Sequence, residues 1–155
     1  MEIYIVEDDI SVINVLEDII ESNGLGTVCG NSGGRPADPA EVARLNPDVV
    51  LVDFLMPEKD GIQFVRELKA AGSTARCIMI SQVSAKDLIG KAYSAGIDFF
   101  ISKPINIIEV KSVIENVERQ IQNERTLSNI RKMFMAEMNE MPKEKQKNDA
   151  YVKKL

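Results

Sequence analysis

The chain has no histidine and no tryptophan among its 155 residues. Without histidine it cannot carry a Ser-His-Asp triad, a histidine metal ligand or a phosphohistidine of its own. A phosphoryl group taken from histidine must therefore come from another molecule. Only two cysteines occur, Cys29 and Cys77, each in or beside an apolar run. Such thiols are expected to be reduced and buried rather than paired or metal-bound. No apolar run approaches the ~20 residues of a bilayer-spanning helix, so no membrane partner is expected. Glu2 and a short apolar run do not suit a signal peptide, and a cytoplasmic location is the expectation. Up to Ile121, 11 Lys+Arg stand against 19 Asp+Glu; residues 122–155 hold 8 against 5. An acidic body with a mildly basic tail, and no helix-turn-helix pattern, implies no direct nucleic-acid binding by this chain.

What is present suits one domain of ordinary make-up. Apolar residues are 45% and charged residues 28%, enough to build a core and keep a polar surface. A chain of this length buries about two-thirds of its unfolded surface.

Strand and helix signals alternate, which implies βαβ units and a parallel sheet. Strands are expected at Glu2–Val6, Thr27–Cys29, Val49–Val52, Cys77–Ile80 and Phe99–Ser102. Helices are expected near Ser11–Ser22, Ala40–Leu45, Gly61–Ala71 and Ala85–Ala95, with a fifth from Ile107. Gly24 stops the first helix, and Asp9 suits its N-cap. A loop rich in Gly and Pro, Gly30–Pro39, follows the weak second strand. This rhythm fits a flavodoxin-like (βα)5 fold, a doubly wound parallel sheet of order 2-1-3-4-5 with an extended C-terminal helix.

The chemistry collects at strand ends. Val49-Val50-Leu51-Val52 runs into Asp53-Phe54-Leu55-Met56-Pro57-Glu58-Lys59-Asp60-Gly61. Asp53 there is a nucleophile, a metal ligand or a helix cap. Ile3–Val6 runs into Glu7-Asp8-Asp9, Cys77–Ile80 into Ser81, and Phe99–Ser102 into Lys103-Pro104. In a parallel sheet these ends share one edge. Several carboxylates at one place repel each other unless a cation intervenes. Few oxygen ligands with room for water suit Mg²⁺. Mg²⁺, a lysine and a hydroxyl form a phosphoryl-binding set, and a carboxylate can then accept the phosphoryl group. Asp60 before Gly61 reads as turn and cap chemistry.

Glu7-Asp8, Asp53, Met56-Pro57, Asp60-Gly61, Ser81, Ala95-Gly96, Phe100 and Lys103-Pro104 resemble, in order and spacing, the receiver domain of two-component response regulators. The resemblance covers residues 1–121. It implies that Asp53 is the phosphoacceptor and that a sensor histidine kinase is the donor. It implies Mg²⁺ on Asp8, Asp53 and the Leu55 main-chain carbonyl, with Glu7 reached through water. Ser81 and Lys103 would hold the phosphoryl group. Phe100 stands where the family carries a switch aromatic, often Tyr, and Pro104 would follow a cis bond. Leu55 and Val83 are apolar where fast-cycling relatives carry polar groups, which implies a long-lived phosphorylated state. Such a domain promotes its own phosphorylation and dephosphorylation without being an enzyme toward a separate substrate.

Residues 79–86 and 102–106 together resemble the YcbB-type subgroup. That implies the N-terminal part of a transcription regulator, with a DNA-binding output domain beyond this chain. Past Ile121 a second apolar stripe appears: Leu127, Ile130, Phe134, Met138 and Met141. The step from Ile121 to Leu127 is six residues, so the register shifts across Gln122–Thr126. One helix of about 35 residues would extend about 52 Å, beyond the reach of the receiver core. Residues 122–141 are thus a helical extension, a dimerising coiled coil or a docking face, and 142–155 a polar linker or tail. Two rivals stand beside the phospho-accepting switch. One is a stand-alone receiver serving only protein–protein interaction. The other, a Mg²⁺-dependent hydrolase, would want a second catalytic acid and a substrate-capping domain.

Overall fold

A computed structural model describes residues 1–82 and 86–142. Five strands alternate with five helices. They are β1 (Glu2–Val6), α1 (Ile10–Ser22), β2 (Thr27–Asn31), α2 (Pro39–Leu45), β3 (Val49–Asp53), α3 (Gly61–Ala70), β4 (Arg76–Ser81), α4 (Lys86–Ala95), β5 (Ile97–Ser102) and α5 (Ile107–Glu140). All pairings are parallel, in the order β2-β1-β3-β4-β5. This is the doubly wound sheet that the alternation of patterns predicts.

The inner strands read as unbroken apolar runs because both sheet faces are covered. Every residue of β3 is buried. Alternate side chains serve alternate faces. Tyr4, Val6, Val50, Val52, Cys77 and Met79 join one core cluster with Val42 of α2, Phe64, Val65 and Leu68 of α3, and Ala92 and Ala95 of α4. Ile3, Ile5, Leu51, Ile78 and Ile80, equally buried, supply the opposite face. The buried residues of α1 and of the first part of α5, among them Leu16, Ile20, Val110, Ile114 and Val117, lie outside the first cluster and cover that second face.

Side chains set the element ends. Asp9 caps α1 by accepting from the Ser11 N–H at 2.9 Å. Asp38 caps α2 through the Ala40 N–H at 3.0 Å, so that helix opens at Pro39. Asp60 caps α3 through the Gln63 N–H at 2.8 Å. Several strands are longer than the apolar runs suggest, since polar Asn31, Asp53, Arg76 and Ser81 also pair in the ladders and Asp98 lies within β5 at a register shift. One expectation is overturned. Cys77 is buried but Cys29 is exposed, because β2 is an edge strand whose alternate residues, Cys29 included, face outward.

The chain divides into two compact units, Met1–Val117 and one beginning at Glu118. In the second, Leu127 and Ile130 are exposed, at 55% and 56%, while Phe134, Met138 and Met141 are half-buried. Among the described residues no helix is long and apolar enough to cross a membrane.

Candidate functional site

The topology opens a crevice at one place. The chain leaves β1 toward β2 on one side, then returns to β3 on the other. Such a reversal parts the loops at the C-terminal ends of the two strands. Register then decides which residues meet there. Val6 of β1 is level with Val52 of β3, so Glu7 and Asp53, the next residue on each, stand at one height. Asp53 is level with Ile80 of β4, which puts Ser81 one step further out. Ser81 is level with Ser102 of β5, which puts Lys103 one step beyond that.

Glu7, Asp8 and Asp53 each place a carboxylate oxygen within 4.8 Å of the others. The Lys103 Nζ lies 3.3 Å from Asp53 Oδ1 and 3.4 Å from Glu7 Oε2. Glu7 is 1% exposed and Asp53 4%, whereas Asp8 is exposed. These four residues, with Ser81 and Leu55, line a cavity of about 250 Å³. Burial pushes the Glu7 carboxyl up to about 7, with a hydrogen bond to Asp8 and the Asp53 charge adding to the rise. An N–H bond from Asp9 and the Lys103 charge oppose it. Burial also works against the Lys103 ammonium, but Asp53 and Glu7 outweigh it and hold its pKa above the ordinary value.

Four acidic residues, Glu7, Asp8, Asp9 and Asp53, against one ammonium leave the pocket short of positive charge. Hard oxygen donors in small number, one of them exposed, fit a divalent cation that keeps several waters. Asp8, Asp53 and Glu7 are the residues able to hold it.

The loop after β3 is held closed under Asp53. The Gly61 N–H donates to the Phe54 carbonyl at 2.9 Å, and the Phe54 N–H to the Ile80 carbonyl at 3.0 Å. Glu58 takes a left-handed conformation, φ 70°, within that turn. On β5, the Lys103 N–H donates to the Ser81 carbonyl at 3.1 Å, and the Lys103–Pro104 bond is cis. Phe100 is partly buried against the α2–α4 core and meets Tyr93 edge-on, centroids 5.2 Å apart. The Leu55 side chain is 61% exposed. Val83 lies outside the described residues.

Three supporting residues escape a reading of the sequence. The Ser32 hydroxyl accepts from the Glu7 N–H at 2.9 Å and donates to the Glu7 carbonyl at 2.6 Å. Glu109 accepts from both the N–H and the hydroxyl of Ser102, each at 2.7 Å. Tyr93 supports Phe100. The strand-end position of Ser102 beside Lys103 was the only signal available for any of them.

The sequence matches the family model for the response regulator receiver domain over residues 3–115, and the chain belongs to that family. It is 38% identical over 131 residues to the transcriptional regulatory protein GlnL of Bacillus subtilis, covering 84% of this chain and 41% of GlnL. It is 33% identical to the chemotaxis protein CheY of the same organism, over 72% of this chain and 92% of CheY. The fold is similar to a chain of the CheX–CheY–BeF₃–Mg²⁺ complex from Borrelia burgdorferi, with a TM-score of 0.66 and 26% identity over 76% of this chain and 88% of that one.

Proposed function

We propose that this chain is a phospho-accepting switch whose acceptor is Asp53. The observation that carries the reading is the Lys103 ammonium seated between Asp53 and Glu7, with Asp8 beside them. A carboxylate oxygen of Asp53 forms the new bond to phosphorus. The bond from phosphorus to the imidazole nitrogen of a sensor histidine kinase breaks, and the kinase keeps the imidazole. Lys103 meets the charge on the phosphoryl oxygens, and the Ser81 hydroxyl binds one of them. Asp8, Asp53, Glu7 and the Leu55 carbonyl would hold Mg²⁺, which would supply charge neutralisation when bound. The CheX–CheY complex from Borrelia burgdorferi contains Mg²⁺, which supports that choice of ion.

Phosphorylation replaces the single negative charge of the Asp53 carboxylate with a phosphoryl group of about −1.5 to −2, carried further out from the strand end. The change biases the surface around α4 and β5, where Phe100 packs on Tyr93. The exposed apolar Leu55 offers no polar group to orient an attacking water, which supports a long-lived product. Residues 1–121 form the receiver, and residues 122–141 relay its state to a second copy or to an output domain. Residues 143–155 of the expected polar tail lie outside the described residues. The likeness to GlnL supports a role in transcription through an output domain lying outside this sequence. The match to nearly all of CheY favours a second reading, a receiver that acts by protein–protein contact alone.

Incubation with acetyl phosphate and Mg²⁺, followed by intact-mass measurement, tests the acceptor. The wild type should gain one phosphoryl group and Asp53→Asn none. A gain that persists in the Asn variant would place the modification elsewhere.

A further inference from the structure

One hydroxyl engages both peptide groups of Glu7. Ser32 stands just past the end of β2, where its own N–H donates to the Ile5 carbonyl at 3.0 Å. That bond continues the β1–β2 ladder by one step and brings Ser32 level with the acidic turn. From there its hydroxyl accepts from the Glu7 N–H and donates to the Glu7 carbonyl, at 2.9 and 2.6 Å. The ladder between β1 and β3 has ended by this point, at Val6 and Val52. Glu7 has thus left one strand partner and is held on the other side by a side chain. The loop beyond Ser32 closes over the same turn. The Arg35 N–H donates to the Ser32 carbonyl at 3.0 Å. A Cβ placed on Gly34 would sit 3.6 Å from the Asp8 carbonyl, so the loop backbone lies against Asp8.

We propose that Ser32 is a positioning residue for the Glu7-Asp8 acid pair, and through it for a divalent cation held with Asp53. The proposal rests on the phosphoacceptor reading of Asp53. Its physical basis is the freedom of a strand end. Glu7 has a buried side chain and Asp8 an exposed one, so the peptide between them must hold a fixed plane for both carboxylates to face Asp53. A two-bond clamp on Glu7 fixes that plane from outside. Loss of the hydroxyl leaves β2 and its ladder in place but frees the turn. Groups that orient metal ligands typically change metal affinity by about 10- to 100-fold when removed.

The test is calorimetric titration of Mg²⁺ into the full chain, with urea unfolding of each variant alongside. Ser32→Ala should weaken Mg²⁺ binding by about 10-fold, and Ser32→Thr, which keeps a hydroxyl, should restore it. Wild-type affinity in Ser32→Ala, or equal loss in both variants, overturns the proposal. If Ser32→Ala lowers the urea midpoint yet binds Mg²⁺ as the wild type does, the hydroxyl is a fold contact only and the proposal fails. The mass measurement on Asp53→Asn separates the two readings: labelling absent from the wild type defeats the acceptor assignment, whereas normal labelling with an unchanged Mg²⁺ affinity in Ser32→Ala defeats this inference alone.

Discussion

Gly61 has no room for a side chain. A Cβ there would lie 2.5 Å from the Asp53 carbonyl oxygen and 3.1 Å from Phe54 Cα, both backbone atoms. The α3 N-terminus therefore packs directly on the turn that follows Asp53. Gly61→Ala should cost about 1–3 kcal/mol through overpacking, seen as a lower urea midpoint, and should slow phosphorylation by displacing Asp53. An unchanged midpoint would show that the turn yields freely. The two thiols differ as sharply. Cys29 is exposed and should react with a thiol reagent in the native state, whereas Cys77 should react only on unfolding. Burial pushes the Cys77 thiol up to about 11 from its ordinary 9.0. The folded state therefore binds the thiol proton more tightly than the unfolded state. That contribution is complete below about pH 9 and is lost as pH rises toward 11. Stability measured by urea unfolding should fall more steeply over that range in the wild type than in Cys77→Ala. Parallel slopes would count against this account.

At the scale of elements, α5 carries two different faces. Val110, Ile114 and Val117 are buried and belong to the first unit. Leu127 and Ile130, in the second, are more than half exposed. Fully burying a large apolar side chain is worth about 1.5–3 kcal/mol. Five from each of two chains give at most about 15–30 kcal/mol on that scale, an upper bound because Phe134, Met138 and Met141 are already half-buried. Association costs about 4–15 kcal/mol, and a micromolar dimer requires a net gain of about 8 kcal/mol. A dimer through residues 127–141 is therefore within reach. Light scattering across concentration should show a dimer for the full chain and a folded, phosphorylatable monomer after deletion of residues 122–155. A full chain that stays monomeric, or a deletion that dimerises as tightly, would assign the stripe to an output domain or the contact to the receiver.

For the whole molecule, the strand-end site is an energetic burden that a bound cation would relieve. Glu7 and Asp53 are buried beside Asp8 with Lys103 as the one cation among the described residues lining their cavity. A cation that binds only the folded state adds stability with concentration, about 2.7 kcal/mol at 100 times its Kd. Mg²⁺ should raise the urea midpoint of the wild type, and chelation should reverse the rise. Asp8→Ala should abolish the Mg²⁺ effect without unfolding the protein, because Asp8 is exposed. A midpoint indifferent to Mg²⁺ in the wild type would remove the ion from this cluster.

The sequence by itself determined where strands and helices lie, because burial on two faces, on one face or on none leaves different local periods. It also marked Asp53, Ser81 and Lys103, since a polar residue at the end of an apolar run has no core to enter. Asp9 and Asp60 were legible as caps for the same local reason. That these strand ends share one edge was legible too; which of their side chains touch was not. Glu7 and Lys103 stand 96 positions apart and meet at 3.4 Å. Their meeting depends on level ends at β1 and β3 and a one-residue step from β3 to β4 and again to β5, which the sheet sets and no local pattern records. Ser32, 25 positions from Glu7, follows a strand too weakly patterned to reveal its partner. Cys29 looked like a core residue beside its apolar neighbours, yet β2 lies at the sheet edge and turns it outward. Periodicity states that a side chain seeks burial; strand order and register decide what it is buried against.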